Sequence, residues 1–160
     1  MMNTSNLIVI SLGTNQGNRL KNLEEARESL RPLLGDFKAS QIVESKAVDY
    51  LDQPDFLNQI LEFNINPNNL TPHQVLHHLL AIETRLGRVR DIDKGPRIID
   101  LDLLFYSEQK INTQDLQLPH PRLFERSFIV HPLKTLPCFE FLKTKFSFPE
   151  NFNNSCTAYN

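Results

Sequence analysis

Two aspartates stand two positions apart within an aliphatic stretch of the chain. Asp100 and Asp102 alternate with three apolar residues, Ile99, Leu101 and Leu103. Because successive side chains of a β-strand point to opposite faces, the spacing predicts a strand with both carboxylates on one face, about 7 Å apart. Carboxylate oxygens bind Mg²⁺, and two like charges at this distance favour a cation between them. The pair is a candidate metal site; a solvated strand face or a salt-bridged pair is the alternative.

A group of basic residues precedes the aspartates. Residues 85–97 contain two aspartates and five basic residues, Arg85, Arg88, Arg90, Lys94 and Arg97. Arg88 and Arg90 follow the end of a predicted helix, and on an extended chain they would project to the same side as a clamp for phosphate. Alternatively, they complement the negative C-terminal end of that helix. Paired carboxylates beside several guanidinium groups are typical of phosphoryl or nucleotidyl transfer with Mg²⁺.

Two further segments contain residues that could contact a ligand. His120 lies between Pro119 and Pro121, and a histidine on such a stiffened segment could face a ligand; a histidine that bonds the backbone is the alternative. Asn58 follows Phe56 at the start of a predicted strand, where its amide could bind the edge of a flat heterocycle while the ring stacks on it. Alternatively, Phe56 is a core residue and Asn58 a strand-end residue.

Composition and charge narrow the class of protein. The chain has 160 residues, which suits one compact domain, and its net charge of −2 argues against a general nucleic-acid binder. Cys138 and Cys156 have no metal-ligand spacing, so we expect neither a zinc site nor a disulfide framework. The first apolar run, Leu7 to Leu12, is too short to cross a membrane. We therefore expect a cytoplasmic protein.

Apolar periodicity and turn residues predict alternating strands and helices. The predicted order is a strand at 7–10, a helix at about 18–34, strands at 38–48 and 56–66, a helix beginning at Thr71, and the strand with the aspartates. Thr71, Pro72 and Gln74 form a helix start with a capping box. The order β-α-β-β-α-β fits a ferredoxin-like α+β domain. Such a domain has a mostly antiparallel sheet with helices packed on its face, here an α-β-α sandwich.

The C-terminal part of the chain is less regular. Residues 122–136 predict a further helix that ends before Pro137. From Pro149 onwards the chain is rich in Asn and poor in aliphatic residues, so it has little apolar surface to bury. We therefore expect a single domain over residues 1–148, followed by a polar, mobile tail over residues 149–160.

Five motifs in combination give the chain a resemblance to the 6-hydroxymethyl-7,8-dihydropterin pyrophosphokinase family over about residues 7–137. The motifs are Leu12-Gly13-Thr14-Asn15, Gln53-Pro54-Asp55-Phe56-Leu57-Asn58, Gly87-Arg88-Val89-Arg90, Gly95-Pro96-Arg97-Ile98-Ile99-Asp100-Leu101-Asp102, and Pro119-His120-Pro121 with Arg126-Ser127-Phe128. The resemblance implies a ferredoxin-like fold. It also implies transfer of pyrophosphate from ATP to the hydroxymethyl group of 6-hydroxymethyl-7,8-dihydropterin, with release of AMP, in tetrahydrofolate biosynthesis.

The resemblance further implies roles for individual residues. Asp100 and Asp102 would be the metal ligands that hold two Mg²⁺ ions, and together with Arg88 and Arg97 they are the implied catalytic residues. The implied ATP-binding residues are Glu83, Arg88, Arg97, Leu103, Leu116, His120 and Arg126. The implied pterin-binding residues are Ser45, Val48, Phe56, Asn58, Asp100 and Phe128.

The expected partners are ATP and a reduced pterin, with no nucleic acid and no membrane, and the expected state is a monomer. A catalytically weak paralogue that binds pterin and nucleotide is the alternative, because the segment Ser45 to Val48 lacks the Thr and prolines that relatives often carry there. A ferredoxin-like RNA-binding module is disfavoured, since Asp100 and Asp102 would give the sheet an acidic face that repels RNA.

Overall fold

An antiparallel sheet lies at the centre of the protein. The computed structural model describes residues 7–48, 51–64, 70–87 and 97–160. The strands are β1 (Leu7–Thr14), β2 (Phe37–Ala39), β3 (Val43–Ser45), β4 (Phe56–Asn64), β5 (Asp100–Tyr106), β6 (Ile111–Asn112), β7 (Gln117–Leu118) and β8 (Cys156–Ala158). The helices are α1 (Arg19–Leu34), α2 (Pro72–Arg85), α3 (Ser127–Leu133) and α4 (Phe139–Lys145). The main sheet has the order β5-β1-β4-β3-β8, with β2 also paired to β4, and β6 and β7 form a separate pair.

Helices cover both faces of the sheet because β1 is apolar on both. Ile8, Ile10 and Leu12 belong to one buried cluster, which we call the first core, together with residues of α1 and α2. Leu7 and Val9 belong to a second core, together with residues of α3 and α4. A strand buried on both faces must be apolar throughout most of its length. The protein is therefore an α-β-α sandwich, as predicted.

The connectivity confirms the predicted ferredoxin-like fold. The strands β1 and β3 both run antiparallel to β4, which lies between them, and α1 lies between β1 and β3 in the chain. In the same way, α2 leads from β4 to β5, and β1 lies between these two strands. Two β-α-β units with an antiparallel strand inserted in each are the ferredoxin-like arrangement.

The two long helices begin at side-chain caps that can be recognised in the sequence. Asn18 Oδ1 accepts a hydrogen bond from Lys21 N at the start of α1. At the start of α2, Thr71 Oγ1 accepts from Gln74 N and Gln74 Oε1 accepts from Thr71 N, which is the predicted capping box. Within the described ranges, neither these helices nor any other is long and apolar enough to cross a lipid bilayer.

The predicted continuous strand at 38–48 is wrong, because Ser40 divides it into β2 and β3. Ser40 N donates to Ile60 O at 2.8 Å, and Ser40 Oγ accepts from Ile60 N at 2.9 Å. The hydroxyl thus takes the place that a backbone carbonyl would have in the ladder. Pairing with β4 resumes at Val43, which lies opposite Asn58.

The predicted helix at 122–136 begins later than expected. Residues Leu123–Glu125 form a 3-10 turn. Arg126 is then extended, with φ of −112° and ψ of 107°, and α3 starts at Ser127. The extended residue separates the two helical segments, so Arg126 and Phe128 lie at the start of α3 rather than inside a longer helix.

The polar segment 149–160 adds a short strand to the main sheet. Its strand β8 pairs with β3, with Cys156 opposite Ser45. Phe152 packs against the second core, and Tyr159 N donates to Ile42 O at 2.9 Å. Backbone pairing and aromatic contacts hold this segment in place. Neither kind of contact can be predicted from the low number of aliphatic residues in the segment.

The strand β5 contains a β-bulge. Val9 lies opposite Phe105, whereas Ile10 lies opposite Leu103, so Leu104 is an extra residue on β5. As a result, Leu104 and Phe105 are consecutive in the chain and both belong to the second core. The register on the other side of the bulge fixes the face on which the two aspartates lie.

Candidate active site

The floor of the site is formed where β5, β1 and β4 lie side by side. Asp102 is opposite Ser11, and Asp100 is opposite Gly13, which is in turn opposite Asn58. Directly opposed residues share a face of the sheet, so both aspartates and Asn58 point to the side that α3 covers. A Cβ at Gly13 would lie 3.2 Å from Asn58 Oδ1, so glycine leaves room at the centre of this floor.

A cleft opens above this floor, and we call it the sheet cleft. It is lined by residues of β1, β3, β4, β5 and α3 and opens to solvent. All six residues that the resemblance implied for pterin binding line it, namely Ser45, Val48, Phe56, Asn58, Asp100 and Phe128. Arg97, Asp102 and Arg126 line it as well. The structure thus brings together residues from four separate parts of the sequence.

A second cleft lies at the edge of β5, and we call it the edge cleft. Leu103, Leu116 and His120, which were implied for ATP binding, line it together with Leu76 and Pro121. Asp102 lines both this cleft and the sheet cleft. The two clefts therefore meet at one of the two aspartates.

Glu83, a further residue implied for ATP binding, does not line either cleft. Glu83 is buried, and its Oε2 accepts a hydrogen bond from Leu101 N at 2.6 Å. Since Leu101 lies between the two aspartates, this bond fixes the backbone that carries them. Arg88 lies outside the described residues, as do Arg90 and Lys94.

Of the two aspartates in the site, Asp100 is paired with an arginine, whereas Asp102 lies beside a neutral histidine. Arg97 Nη1 lies 3.1 Å from Asp100 Oδ2 and forms an ion pair with it. Burial and the neighbouring negative charge of Asp100 raise the pKa of Asp102 to about 8, and Arg126 and Arg97 oppose that shift in part. His120 Nε2 lies 3.9 Å from Asp102 Oδ1, but burial and the charge of Arg126 lower the pKa of His120 to about 4. At pH 7 His120 is therefore neutral and adds no positive charge beside Asp102.

The two aspartates fit a divalent cation that also binds a phosphate-bearing ligand. Across the described part of the chain, no three His, Cys, Asp or Glu side chains come together as ligands for one ion. Mg²⁺ needs only one or two protein carboxylates, because it takes water and substrate phosphates as its other ligands. A cation here would also stabilise the ionised form of Asp102, which burial and Asp100 now disfavour.

Asn15 connects Arg97 with Gln53 and Pro54 beside the sheet cleft, a role that could not be predicted from the sequence. Its Oδ1 accepts from Arg97 N at 2.8 Å, and its Nδ2 donates to Gln53 Oε1 and to Pro54 O, both at 2.9 Å. The side chain is almost completely buried, so these bonds are shielded from water. The only signal in the sequence was the place of Asn15 in the motif Leu-Gly-Thr-Asn.

The orientation of Asn58 is set by a neighbouring strand. Asn58 Nδ2 donates to Ser45 Oγ at 3.0 Å, and both side chains are buried. Because the amide nitrogen is engaged in this way, Oδ1 lies on the side of Gly13 and the floor. This contact explains how Ser45, on β3, contributes to the cleft.

Comparison with known proteins identifies the family. The sequence profile of 7,8-dihydro-6-hydroxymethylpterin-pyrophosphokinase (HPPK) matches residues 9–137. The chain belongs to the HPPK family. It is 38% identical over 131 residues to the 2-amino-4-hydroxy-6-hydroxymethyldihydropteridine pyrophosphokinase of Bacillus subtilis, covering 81% of this chain and 77% of that protein. The predicted resemblance is confirmed.

Other relatives are longer than this chain. It is 45% identical over 127 residues to a folic acid synthesis protein of Pneumocystis carinii, covering 79% of this chain but 17% of that protein. It matches 24% of a mitochondrial folate synthesis bifunctional protein of Arabidopsis thaliana, at 40% identity over 85% of this chain. The chain thus spans less than a quarter of these two proteins.

A solved structure supports the fold. The HPPK-DHPS protein of Plasmodium falciparum, solved with pteroate, superposes with a TM-score of 0.61 at 16% identity over 81% of this chain and 39% of that one. At this identity the likeness concerns the fold alone. It agrees with the ferredoxin-like connectivity described above.

Proposed function

We propose that this HPPK-family chain transfers the pyrophosphoryl group of ATP to the hydroxymethyl oxygen of 6-hydroxymethyl-7,8-dihydropterin in folate biosynthesis. The observation that carries the proposal is the meeting of two different clefts at Asp102. One cleft has the aromatic and amide groups that suit a flat heterocycle, and the other has the aliphatic lining that suits a nucleotide base. A reaction between two substrates requires that their sites meet at the catalytic groups.

The sheet cleft is the proposed pterin site. Phe56 and Phe128 provide aromatic surface for the pterin ring, and Asn58 provides an amide whose orientation Ser45 fixes. Val48 lines the same cleft and is 38% exposed. Asp100 lies at the end of the cleft next to the edge of β5, where the hydroxymethyl group must reach the phosphates.

The edge cleft is the proposed nucleotide site. Leu103 and Leu116 would contact the adenine, while the neutral ring of His120 can hydrogen-bond without adding charge. Arg97 and Arg126 both line the neighbouring sheet cleft, as does Lys46, and the two guanidinium groups can reach phosphates placed between the two sites. We also propose Arg88 as a phosphate ligand from its place in the sequence motif, and Glu83 as the residue that holds Leu101.

Asp100 and Asp102 are the proposed Mg²⁺ ligands, with two ions bound alongside ATP. Bound Mg²⁺ would neutralise the phosphates and orient them for in-line attack. In the proposed step the hydroxymethyl oxygen forms a bond to the β-phosphorus of ATP and releases its proton to solvent water. The bond from that phosphorus to the α,β-bridging oxygen breaks, which releases AMP and the pterin diphosphate. Arg97, held 3.1 Å from Asp100, is placed to offset negative charge on the transferred group.

Within this proposal the protein is a monomer that acts in the cytoplasm on ATP and a reduced pterin, without nucleic acid or a membrane. Cys138 and Cys156 are both free thiols, which fits a reducing compartment. We also propose that residues 1–148 form the catalytic domain, to which the segment 149–160 adds the strand β8.

The test is formation of AMP from ATP and Mg²⁺, with and without 6-hydroxymethyl-7,8-dihydropterin. The wild type should release AMP only when the pterin is present. Asp102→Asn should lower this rate at least about 100-fold, because it removes a charged metal ligand. Asp36→Asn serves as the matched control, since Asp36 is exposed and pairs with Arg31 on α1. Chelation of Mg²⁺ should stop the wild-type reaction as well.

Two outcomes would contradict the proposal. If the wild type releases no AMP but binds the pterin, the chain is a binding paralogue. If Asp102→Asn remains as active as Asp36→Asn, the carboxylate pair is not the metal site.

A further inference from the structure

The C-terminal segment reaches back to the start of α3 through one side chain. Asn154 Oδ1 accepts hydrogen bonds from Ser127 N at 2.8 Å and from Ser127 Oγ at 2.7 Å. Asn154 Nδ2 donates to Glu125 O at 2.8 Å. A single asparagine therefore holds the backbone on both sides of Arg126 and also engages the Ser127 hydroxyl.

These contacts bear on two residues of the sheet cleft. Ser127 lies between Arg126 and Phe128, and both of these line the cleft. The guanidinium carbon of Arg126 lies 5.8 Å from the centroid of the Phe128 ring. The first N–H groups of a helix have no acceptor within the helix, and a side chain next to them usually supplies one. At Ser127 this acceptor comes from Asn154, 27 positions away.

The same segment also supports the strand that carries Ser45, another residue of the cleft. Two positions after Asn154 the chain enters β8, and Cys156 pairs with Ser45 on β3. Ser45 lines the cleft and accepts a hydrogen bond from Asn58. The segment thus contacts α3 through a side chain and β3 through its backbone, and both elements contribute to one ligand site.

This arrangement lies outside the part of the chain that the family profile matches. The profile ends at residue 137, whereas the contacts come from residues 154–158. The structure therefore adds a supporting element that the family comparison does not describe.

We propose that Asn154 is a positioning residue for the proposed pterin site, and the inference rests on the function proposed above. It holds the start of α3 so that Phe128 faces the cleft, while β8 holds Ser45. The pterin ring depends on both supports. The nucleotide is expected to depend less on them, because Leu103, Leu116 and His120 belong to the edge cleft.

The experiment measures two dissociation constants for three variants of the full chain. Calorimetry gives the Kd of 6-hydroxymethyl-7,8-dihydropterin, with Mg²⁺ and a non-hydrolysable ATP analogue present, and the Kd of that analogue alone. Asn154→Ala removes all three hydrogen bonds, and Asn154→Asp keeps the oxygen that accepts from Ser127. Asn153→Ala is the matched control, because Asn153 is the same residue type one position earlier and is exposed. Circular dichroism confirms folding at the temperature of measurement.

Asn154→Ala should raise the pterin Kd about tenfold and the nucleotide Kd no more than about threefold, since a small displacement of a binding group is enough for such a loss. Asn154→Asp should recover most of the pterin affinity, and Asn153→Ala should match the wild type. A merely structural role would lower the melting temperature of Asn154→Ala and leave both Kd values unchanged, or weaken both ligands equally. Either of those results would overturn the inference.

A second variant decides the matter if Asn154→Ala does not fold. Ser127→Ala removes the hydroxyl donor and leaves the backbone bond, so the pterin Kd should rise by a smaller factor than the tenfold above, about threefold. An unchanged pterin Kd would refute the inference. A wild type that binds both ligands but makes no AMP would refute the proposed function alone, while one that binds no pterin would refute both.

Discussion

Replacing Asn15 with alanine is expected to lower both the stability of the protein and its rate of pyrophosphoryl transfer. The side chain makes three partly buried hydrogen bonds, one accepted from Arg97 N and two donated to Gln53 Oε1 and Pro54 O. At about 1 kcal/mol of net stabilisation for each bond, the loss in the free energy of unfolding is about 3 kcal/mol. For a chain of this length, that loss corresponds to a melting temperature lower by about 6–12 °C.

The effect of Asn15→Ala on the rate follows from the position of Arg97. The backbone of Arg97 is held by Asn15, and its side chain lies 3.1 Å from Asp100. In Asn15→Ala the backbone bond from Asn15 N to Arg97 O, at 3.1 Å, remains, but Arg97 N loses its side-chain acceptor. Arg97 can then shift relative to the aspartates, and a displacement of about 1 Å can lower a rate about 100-fold. We therefore expect kcat for AMP formation to fall about 100-fold at a temperature where the variant is folded.

Asn22→Ala is the matched control for this experiment. Asn22 Nδ2 donates to Thr14 Oγ1 at 3.1 Å and to Gln16 O at 2.7 Å, so it supports the same loop without touching Arg97. This variant should lose stability and keep its kcat. If Asn15→Ala melts at a lower temperature yet retains a kcat within about twofold of the wild type, then Asn15 does not position Arg97 for catalysis.

Two further predictions concern the floor of the sheet cleft and a buried thiol. A Cβ at Gly13 would lie 3.2 Å from Asn58 Oδ1. Gly13→Ala should therefore raise the KM for the pterin about tenfold and leave the KM for ATP nearly unchanged. If steady-state kinetics show equal increases in the two KM values, a pterin contact at Asn58 is contradicted. Burial raises the pKa of the Cys138 thiol above its ordinary value of 9.0, so the folded protein keeps this proton when the unfolded chain releases it. The free energy of unfolding should therefore fall as the pH rises above about 9. Denaturant titrations should show a steeper fall in the wild type than in Cys138→Ala, and parallel curves would rule out this linkage.

The parts of the fold that depend on residues close together in the sequence could be predicted from it. The capping box at Thr71 joins residues three positions apart, and the alternation around Asp100 and Asp102 identified a strand. The break at Ser40 could not be predicted, because it depends on hydrogen bonds with Ile60, twenty positions away. A serine within a strand-like segment does not indicate which distant backbone group its hydroxyl will bond after folding.

The same distinction applies to the candidate site. The residues implied for pterin binding do line one cleft, since the motifs that carry them resemble a known family. The residues that support the site were missed, because Asn15 bonds to Arg97 across 82 positions and Asn154 to Ser127 across 27. In a sequence an isolated asparagine indicates a turn, and its long-range bonds are fixed only by tertiary structure.

The bulge at Leu104 has a consequence for how this strand can vary in length. Towards Asp102 the strand pairs with β1 in one register, and towards Tyr106 in another that is offset by one residue. An added or deleted residue near Tyr106 can be accommodated by a change in the bulge, whereas one next to Asp102 would turn a carboxylate to the opposite face of the sheet. Natural insertions and deletions in this strand should therefore be confined to the Tyr106 side, where the chain can change length without moving the proposed metal ligands.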